Sequence, residues 1–299
     1  MIDKLEYLLA LARERNFGKA AESCGVSQPS FSAGIKQLED ALGAMLVQRT
    51  SRFIGFTAEG ERVLEWARGI VEDTRAMRND VQTLKRGLSG HLRIAAIPVA
   101  LPMLSLVTTP YHAKYPGVRF SIFSRTAAEI VTLLDNFEVD AGVTYVDDRP
   151  PRGMRAVPFY RERYRLVTAP DSPLGDRQQV TWAEVAKVPL CLPASDMQSR
   201  HIIDRLLSGA GGDPGPPTLE SNSMIVLFTH VRTGRWATVM PDKLADALGL
   251  TQQLRSVPIV EPDAAEQIGF VVAKREPSTA MLTALVAEVN TVARSLENN

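Results

Sequence analysis

Residues 16–39, NFGKAAESCGVSQPSFSAGIKQLE, leave the N-terminal end of this chain few choices of fold. Two short helical patterns meet at Gly25-Val26, and the second opens with Ser27-Gln28-Pro29. Asn16 is placed to cap the first helix and Ser27 the second, where a side-chain oxygen accepts from an open backbone N–H. Gly25 suits a helix C-terminus, because glycine takes a left-handed conformation without a Cβ clash. Pro29 falls in the first turn of the second helix, where its missing N–H costs no hydrogen bond. Ala20 and Ala21 are small enough for a close helix crossing, and Leu5, Leu8, Leu9 and Ala12 give a preceding helix one apolar face. Phe31, Ile35, Leu38 and Leu42 form the expected buried stripe of the second helix, while Gln28, Ser30, Ser32, Ala33 and Lys36 lie opposite. Two helices joined by such a turn read as a helix-turn-helix, whose second helix enters the major groove of DNA.

Residues 49–56 read as a short β-hairpin beside that helix, with Arg49 and Arg52 placed for backbone phosphates. Such contacts position a protein without reading sequence. Thr57 then caps a long helix, with Glu59 and Glu61 in a first turn that favours negative charge. Val63, Ala67, Ile70, Thr74, Met77, Val81, Leu84 and Leu88 recur at alternating spacings of four and three. That heptad seam predicts pairing between two chains, with Val63, Ile70, Met77, Val81 and Leu84 as its dimer contacts. Ser89-Gly90 is the expected helix end and hinge.

The N-terminal segment resembles the winged helix-turn-helix of LysR-type transcriptional regulators, in the pattern AAE.C.VSQPS.S..IKQLE..LG..L..R followed by FTAEGE. Two positions depart from that family's pattern. Ala33 stands where a basic or polar residue is frequent, and Gly34 sits inside the recognition helix, where glycine costs roughly 1 kcal/mol relative to alanine. Both bear on the base contacts and not on the fold. The candidate DNA-facing set is Gln28, Pro29, Ser30, Ser32, Ala33 and Lys36 on the helix, with Arg49 and Arg52 on the hairpin. The resemblance implies a bacterial regulator that binds double-stranded operator DNA as a homodimer or dimer of dimers (a homotetramer), and contacts RNA polymerase if it activates. It also implies a dimerising linker helix.

From Leu92 the texture changes. The apolar runs LRIAAI, VRFSIF, AGVTY, YRLVTA, LCL and ATVM alternate with helical stretches at 101–113, 127–136, 182–187, 200–208 and 224–233. Such alternation predicts parallel sheets covered by helices, with ligands beyond the carboxyl ends of the strands. The resemblance implies two α/β subdomains joined by two crossover strands, as in type 2 periplasmic binding proteins. The crossovers are expected near 160–166 and 267–272. The expected fold is an all-α winged helix-turn-helix with a long linker helix, then a periplasmic-binding-protein-like α/β region. The expected plan is 1–57 for DNA binding, 58–90 for the linker helix and hinge, and 91–299 for effector binding. Within the last, subdomain I is 91–162 with 268–299, and subdomain II is 163–267.

The candidate effector residues follow from strand ends. Pro98, Val99 and Ala100 start a helix after LRIAAI; Ser124, Arg125 and Thr126 follow VRFSIF; Tyr145 follows the third strand. Across the expected cleft, Ser195, Ser199 and Arg200 belong to a loop that leads into another helix. Free N–H groups at helix starts attract anions, so a small carboxylate is the expected class. The alternatives are simple capping by Ser124, Ser195 and Ser199, or an apolar effector, because Pro98, Val99 and Ala100 offer few side-chain donors. His230 reads as structural.

Composition serves mainly to exclude. Lys+Arg and Asp+Glu both number 34, so any DNA-binding surface must be a local patch. Cys24 and Cys191 fall in different expected domains and read as small buried hydrophobes, not a disulfide. There is no phosphate-binding glycine loop, GxSxG or HExxH, and the four histidines have no metal-ligand spacing. No metal, no cofactor beyond a small-molecule effector, and no enzyme activity are therefore expected. Asp147-Asp148 reads as a solvated pair. Asp3, Lys4 and Glu6 interrupt any signal-peptide run and no stretch reaches membrane length, so the expected location is cytoplasmic, with no membrane partner. The function expected is effector-modulated transcription regulation through DNA binding. A cytoplasmic solute-binding protein is the alternative that residues 1–60 oppose. A constitutive DNA-binding protein is the one that the large second half opposes.

Overall fold

The computed structural model describes residues 1–299 except 50–52, 148–149, 212–214, 250–253 and 298–299. The chain divides into two compact units, Met1–Arg86 and Gly87–Asn299.

In the first unit α1 (Ile2–Glu14), α2 (Phe17–Ser23) and α3 (Gln28–Leu42) pack on one core. Asn16 Oδ1 accepts from the Lys19 N–H at 3.0 Å, and Ser27 Oγ accepts from the Ser30 N–H at 3.3 Å. Gly25 turns the chain at φ +68°. Phe31, Ile35 and Leu38 are buried, but Leu42, at the last residue of α3, is exposed and leaves the expected stripe. Gly34 has a reason that the sequence hid. A Cβ there would meet the Tyr7 ring of α1 at 2.7 Å, and that ring stacks on Phe31 at 5.0 Å between centroids. Glycine lets α1 and α3 approach, against its unfavourable helix propensity.

The hairpin is β1 (Val47–Arg49) with β2 (Phe53–Phe56), antiparallel. Buried Glu39 anchors its entry: its Oε1 accepts from the N–H groups of Leu46 at 2.9 Å and Val47 at 3.2 Å. Thr57 Oγ1 accepts from the Gly60 N–H at 2.9 Å and opens α4 (Ala58–Arg86). Leu64, Ala67 and Val71 of α4 are buried in the core, and Val63 is half-buried against it. The N-terminal part of the expected seam therefore faces its own unit. Trp66, Ile70, Met77 and Val81 point outward instead, and the Leu84 side chain lies outside the described residues. The helix breaks at Gly87, φ +81°. Ser89 and Gly90 are not the break, because they already pair with Gly117 and Val118.

In the second unit β3 (Ser89–Ala96), a 3-10 turn (Pro98–Leu104), α5 (Ser105–Lys114), β4 (Gly117–Ser124), α6 (Ala127–Asp135) and β5 (Ala141–Tyr145) come first. β3 lies between β4 and β5, parallel to both. The long β6 (Met154–Thr168) then carries the chain into the other half of the unit. That half holds β7 (Val180–Thr181), α7 (Trp182–Val185), β8 (Cys191–Pro193), α8 (Gln198–Gly209), β9 (Leu219–Ser221), α9 (Met224–Val231), β10 (Thr238–Pro241), α10 (Asp242–Ala247) and β11 (Arg255–Val260). β12 (Ala265–Ala273) returns antiparallel to both β5 and β6, and α11 (Ala280–Glu297) packs against α5 and β6.

The sheet order is β4-β3-β5-β12-β6-β11-β7, with β10 also paired to β6. The two expected crossover stretches fall inside β6 and β12, which pair along the whole of β12. Their register shifts at Ile268/Gly269, opposite Tyr160 and Pro158. A Cβ on Gly269 would stand 2.8 Å from the Val157 carbonyl, so the irregularity needs glycine. One core gathers around Ile94, Val143, Phe159, Phe270 and Leu285, and another around Leu166, Trp182, Val239 and Ile259. β11 and α11 lie outside the elements expected from the sequence.

Candidate functional sites

On the first unit, α3 turns Gln28, Pro29, Ser30, Ala33 and Lys36 to solvent and leaves Ser32 half-buried. Ser30 Oγ lies 2.9 Å from Ser27 Oγ, so its hydroxyl serves the cap. Gln28, Ser32 and Lys36 remain as donors and acceptors for an outside partner. The Arg49 side chain and all of Arg52 lie outside the described residues.

On the second unit, five expected residues line one cavity: Pro98, Val99, Thr126, Tyr145 and Ser199. Ile97, Ala127, Met197 and Gln198 complete its lining. α8 starts there without a side-chain cap, since Met197 is its N-cap residue. Ser199, in the first turn, is 4% exposed, and its Oγ has no partner among the described residues. The facing start of α6 is different. Glu129 Oε2 accepts from the N–H of Thr126 at 2.8 Å and from its hydroxyl at 2.9 Å, which together hold the Glu129 carboxyl below its ordinary range.

The other expected residues do not meet there. Ala100 is fully buried in the core. Ser124, Arg125 and Ser195 are exposed, and none of them lines the cavity. Arg125 Nη1 donates to the Ser124 carbonyl at 2.7 Å, and its guanidinium lies 5.7 Å from the Phe123 ring centre. Arg200 is buried and committed: Nε donates to Asp204 at 2.8 Å, while Nη1 donates to Glu220 at 2.8 Å and to the Pro193 carbonyl at 3.0 Å. Two carboxylates already neutralise the cation that was expected to hold an anion.

A second cavity of about 360 Å³ adjoins the first and shares Ala127, Tyr145 and Gln198 with it. Behind them Tyr145 OH donates to Glu162 Oε1 at 2.9 Å. Glu162 is fully buried on β6, and burial pushes its carboxyl up to about 8. The Tyr145 phenol is held well above its ordinary value by burial first and by Glu162 second. At neutral pH the carboxyl is therefore mostly protonated. Glu162 was not among the residues expected from the sequence; its signal was Tyr160, Glu162 and Tyr164 at period-two spacing, sharing one face of a strand.

Cys191 is buried, and burial lifts its thiol to about 11; Cys24 lies in the first unit. His230 Nδ1 sits 2.8 Å from the Val226 carbonyl on its own helix. Among the described residues no group of His, Cys, Asp and Glu is placed to hold a metal, and no helix is long and apolar enough to cross a membrane.

Two family models match the chain. The bacterial regulatory helix-turn-helix protein, lysR family, matches residues 2–61, and the LysR substrate binding domain matches residues 85–294. Among curated proteins, the DNA-binding transcriptional dual regulator OxyR of Escherichia coli K12 is 28% identical over 275 residues, covering 90% of this chain and 88% of that one. The hydrogen peroxide-inducible genes activator of Dickeya chrysanthemi is 27% identical over the same length and coverage. The RuBisCO operon transcriptional regulator of Allochromatium vinosum is 26% identical over 210 residues, covering 70% and 68%. Solved structures share the fold. A cysteine-to-aspartate variant of full-length OxyR from Pseudomonas aeruginosa superposes with a TM-score of 0.75 at 22% identity, covering 98% of this chain and 99% of that one. Full-length CbnR, in complex with its target DNA, gives 0.68 at 23%, covering 98% and 100%.

Proposed function

This chain belongs to the LysR family, and from that premise we propose how its residues divide the work of a regulator. It is a DNA-binding transcriptional regulator, not an enzyme, and its action on operator DNA is modulated by a small-molecule effector.

In this reading Gln28 and Ser32 touch base edges, Lys36, Arg49 and Arg52 hold phosphates, and the protein works in the cytoplasm. The outward apolar row Trp66, Ile70, Met77 and Val81 pairs α4 with α4 of a second copy, and two such dimers associate. The domain plan follows, with Gly87 as the hinge between DNA-binding and effector-binding parts.

The effector is a small organic anion held at the start of α8. One observation carries this: an uncapped helix start beside the buried Ser199 hydroxyl, which has no partner among the described residues. Open N–H groups and the helix dipole both favour a carboxylate there. Arg200 and Arg125 contribute no direct contact. Peroxide sensing, which the name of one relative suggests, is not favoured at the Cys191 thiol. The thiolate is the reactive form, and at pH 7 a thiol at about 11 holds only about one part in ten thousand of it. Cys24 and Cys191 also lie in separate units.

A thermal-shift screen of carboxylates against neutral and cationic compounds tests the effector class on the full chain. Carboxylates should stabilise the protein, and Ser199→Ala should weaken them; hits confined to neutral or cationic compounds overturn the reading. For DNA, Gln28→Ala should weaken operator binding more than random-DNA binding, a good base contact being worth roughly 1–3 kcal/mol.

A further inference from the structure

The outward face of α3 has a centre, and the helical period locates it. At 3.6 residues per turn, the residues two before and two after any position fall on nearly the opposite side of a helix. Phe31 and Ile35 are fully buried, so Ala33, midway between them, lies at the middle of the outward arc, and it is exposed. Pro29 and Gln37 flank it one turn away on either side, and both are exposed. Lys36, Ser32 and Gln28 follow one another round one edge of that arc, by the same period.

The centre of this face is therefore apolar, and hydrogen bonding is left to its edges. Ala33 ends in a methyl group, and Pro29 offers a ring and no N–H. The Ser30 hydroxyl, next to Pro29, lies 2.9 Å from Ser27 Oγ and serves the cap. A base edge brought against Ala33 meets carbon. In the major groove all four bases present hydrogen-bonding groups, but thymine alone adds a C5-methyl. A polar edge pressed there gives up water and gains no bond, whereas a methyl gains from burial. We propose that Ala33, with Pro29 beside it, reads the C5-methyl group of a thymine in the operator. This rests on the reading of α3 as the groove-facing helix and adds to it a base and a kind of contact.

The test starts by selecting binding sites for the full-length chain from a random-sequence pool of double-stranded DNA. Each thymine of the selected site is then replaced singly by uracil, which lacks only the C5-methyl, and affinity is read by fluorescence anisotropy. At least one replacement in each half-site should weaken binding by roughly three- to fivefold, the worth of burying one methyl group. Ala33→Gly should abolish that difference. Ala33→Gln puts a good helix former there, so it decides the matter if glycine loosens α3. Its amide suits adenine, and selection with it should move the preferred base at that position from thymine to adenine. If no uracil weakens binding while Ala33→Gln still changes the selected base, α3 faces the groove and this inference is overturned. If the uracil penalty survives in both variants, the methyl is read by another residue and the inference is overturned too. If Ala33→Gln leaves the selected site and the affinity untouched, the reading of α3 itself falls and takes the inference with it.

Discussion

The two units treat buried polar groups in opposite ways. In Met1–Arg86, Glu39 is buried, yet one of its oxygens accepts from two backbone N–H groups, and Asn16, Ser27 and Thr57 each close a helix start. In Gly87–Asn299, Thr144, Tyr160, Glu162 and Ser199 each carry a buried side-chain oxygen with no partner among the described residues; the first unit has no such atom among its described residues. Buried polar groups are normally bonded, and satisfied networks hold one arrangement. The contrast is that the first unit bonds its buried carboxylate to backbone N–H groups, whereas the second buries oxygens that its own described residues leave unbonded.

Three substitutions can break or sharpen that contrast. The largest effect is expected at Glu162. Its carboxyl holds a proton up to about 8 when folded but loses it near 4.5 when unfolded. Between those values the folded state binds the extra proton, so this group's contribution to stability falls as pH rises. Glu162→Gln removes the fall: measured by urea unfolding, its stability relative to the parent should rise by roughly 3–4 kcal/mol from pH 5 to pH 8. A constant difference across that window would mean that Glu162 is not held protonated, and would erase the clearest case on the effector side.

The next effect is at Glu39. Alanine there leaves the Leu46 and Val47 N–H groups without their acceptor, at about 1–3 kcal/mol each. The first unit should lose about 3 kcal/mol, and amide exchange at Leu46 and Val47 should accelerate. Unchanged exchange would show that the satisfied network is not what holds the hairpin.

The smallest is at Gly34. Alanine gains about 1 kcal/mol of helix propensity, but its Cβ meets Tyr7 at 2.7 Å, and overpacking costs about 1–3 kcal/mol. The clash should win by about 1 kcal/mol, read as a lower urea midpoint. Adding Tyr7→Ala should make Gly34→Ala neutral or stabilising, because the two positions couple. Failure of that rescue would remove the crossing argument.

The same contrast explains what could be read from the chain alone. Signals in the first unit are local: a cap, a turn glycine and an apolar stripe within a few residues of one another. Gly34 was the exception, since the Tyr7 ring that demands it belongs to another helix. In α4 the heptad spacing was visible, but the choice between Val63–Ala67 and Trp66 as the outward row depends on where α1 packs. In the effector unit the strand ends were visible and brought five cavity residues together. Arg200 misled because Glu220, one of its two acidic partners, arrives on β9 from far along the chain. Glu162 was hidden in RERYR, where a run of charges looks solvated.

The β6–β12 pairing carries a mechanical consequence. The chain passes between the halves of the effector unit on these two strands, which are bonded to each other along the whole of β12. Sliding one strand past the other by a residue would turn every side chain to the wrong face, so translation is forbidden. Twisting keeps the ladder bonds. The ribbon is therefore a torsion bar, and its compliant section is the register shift at Gly269, opposite Pro158, which has no N–H to give the ladder. Rotation of one half against the other is the motion that this ribbon leaves open.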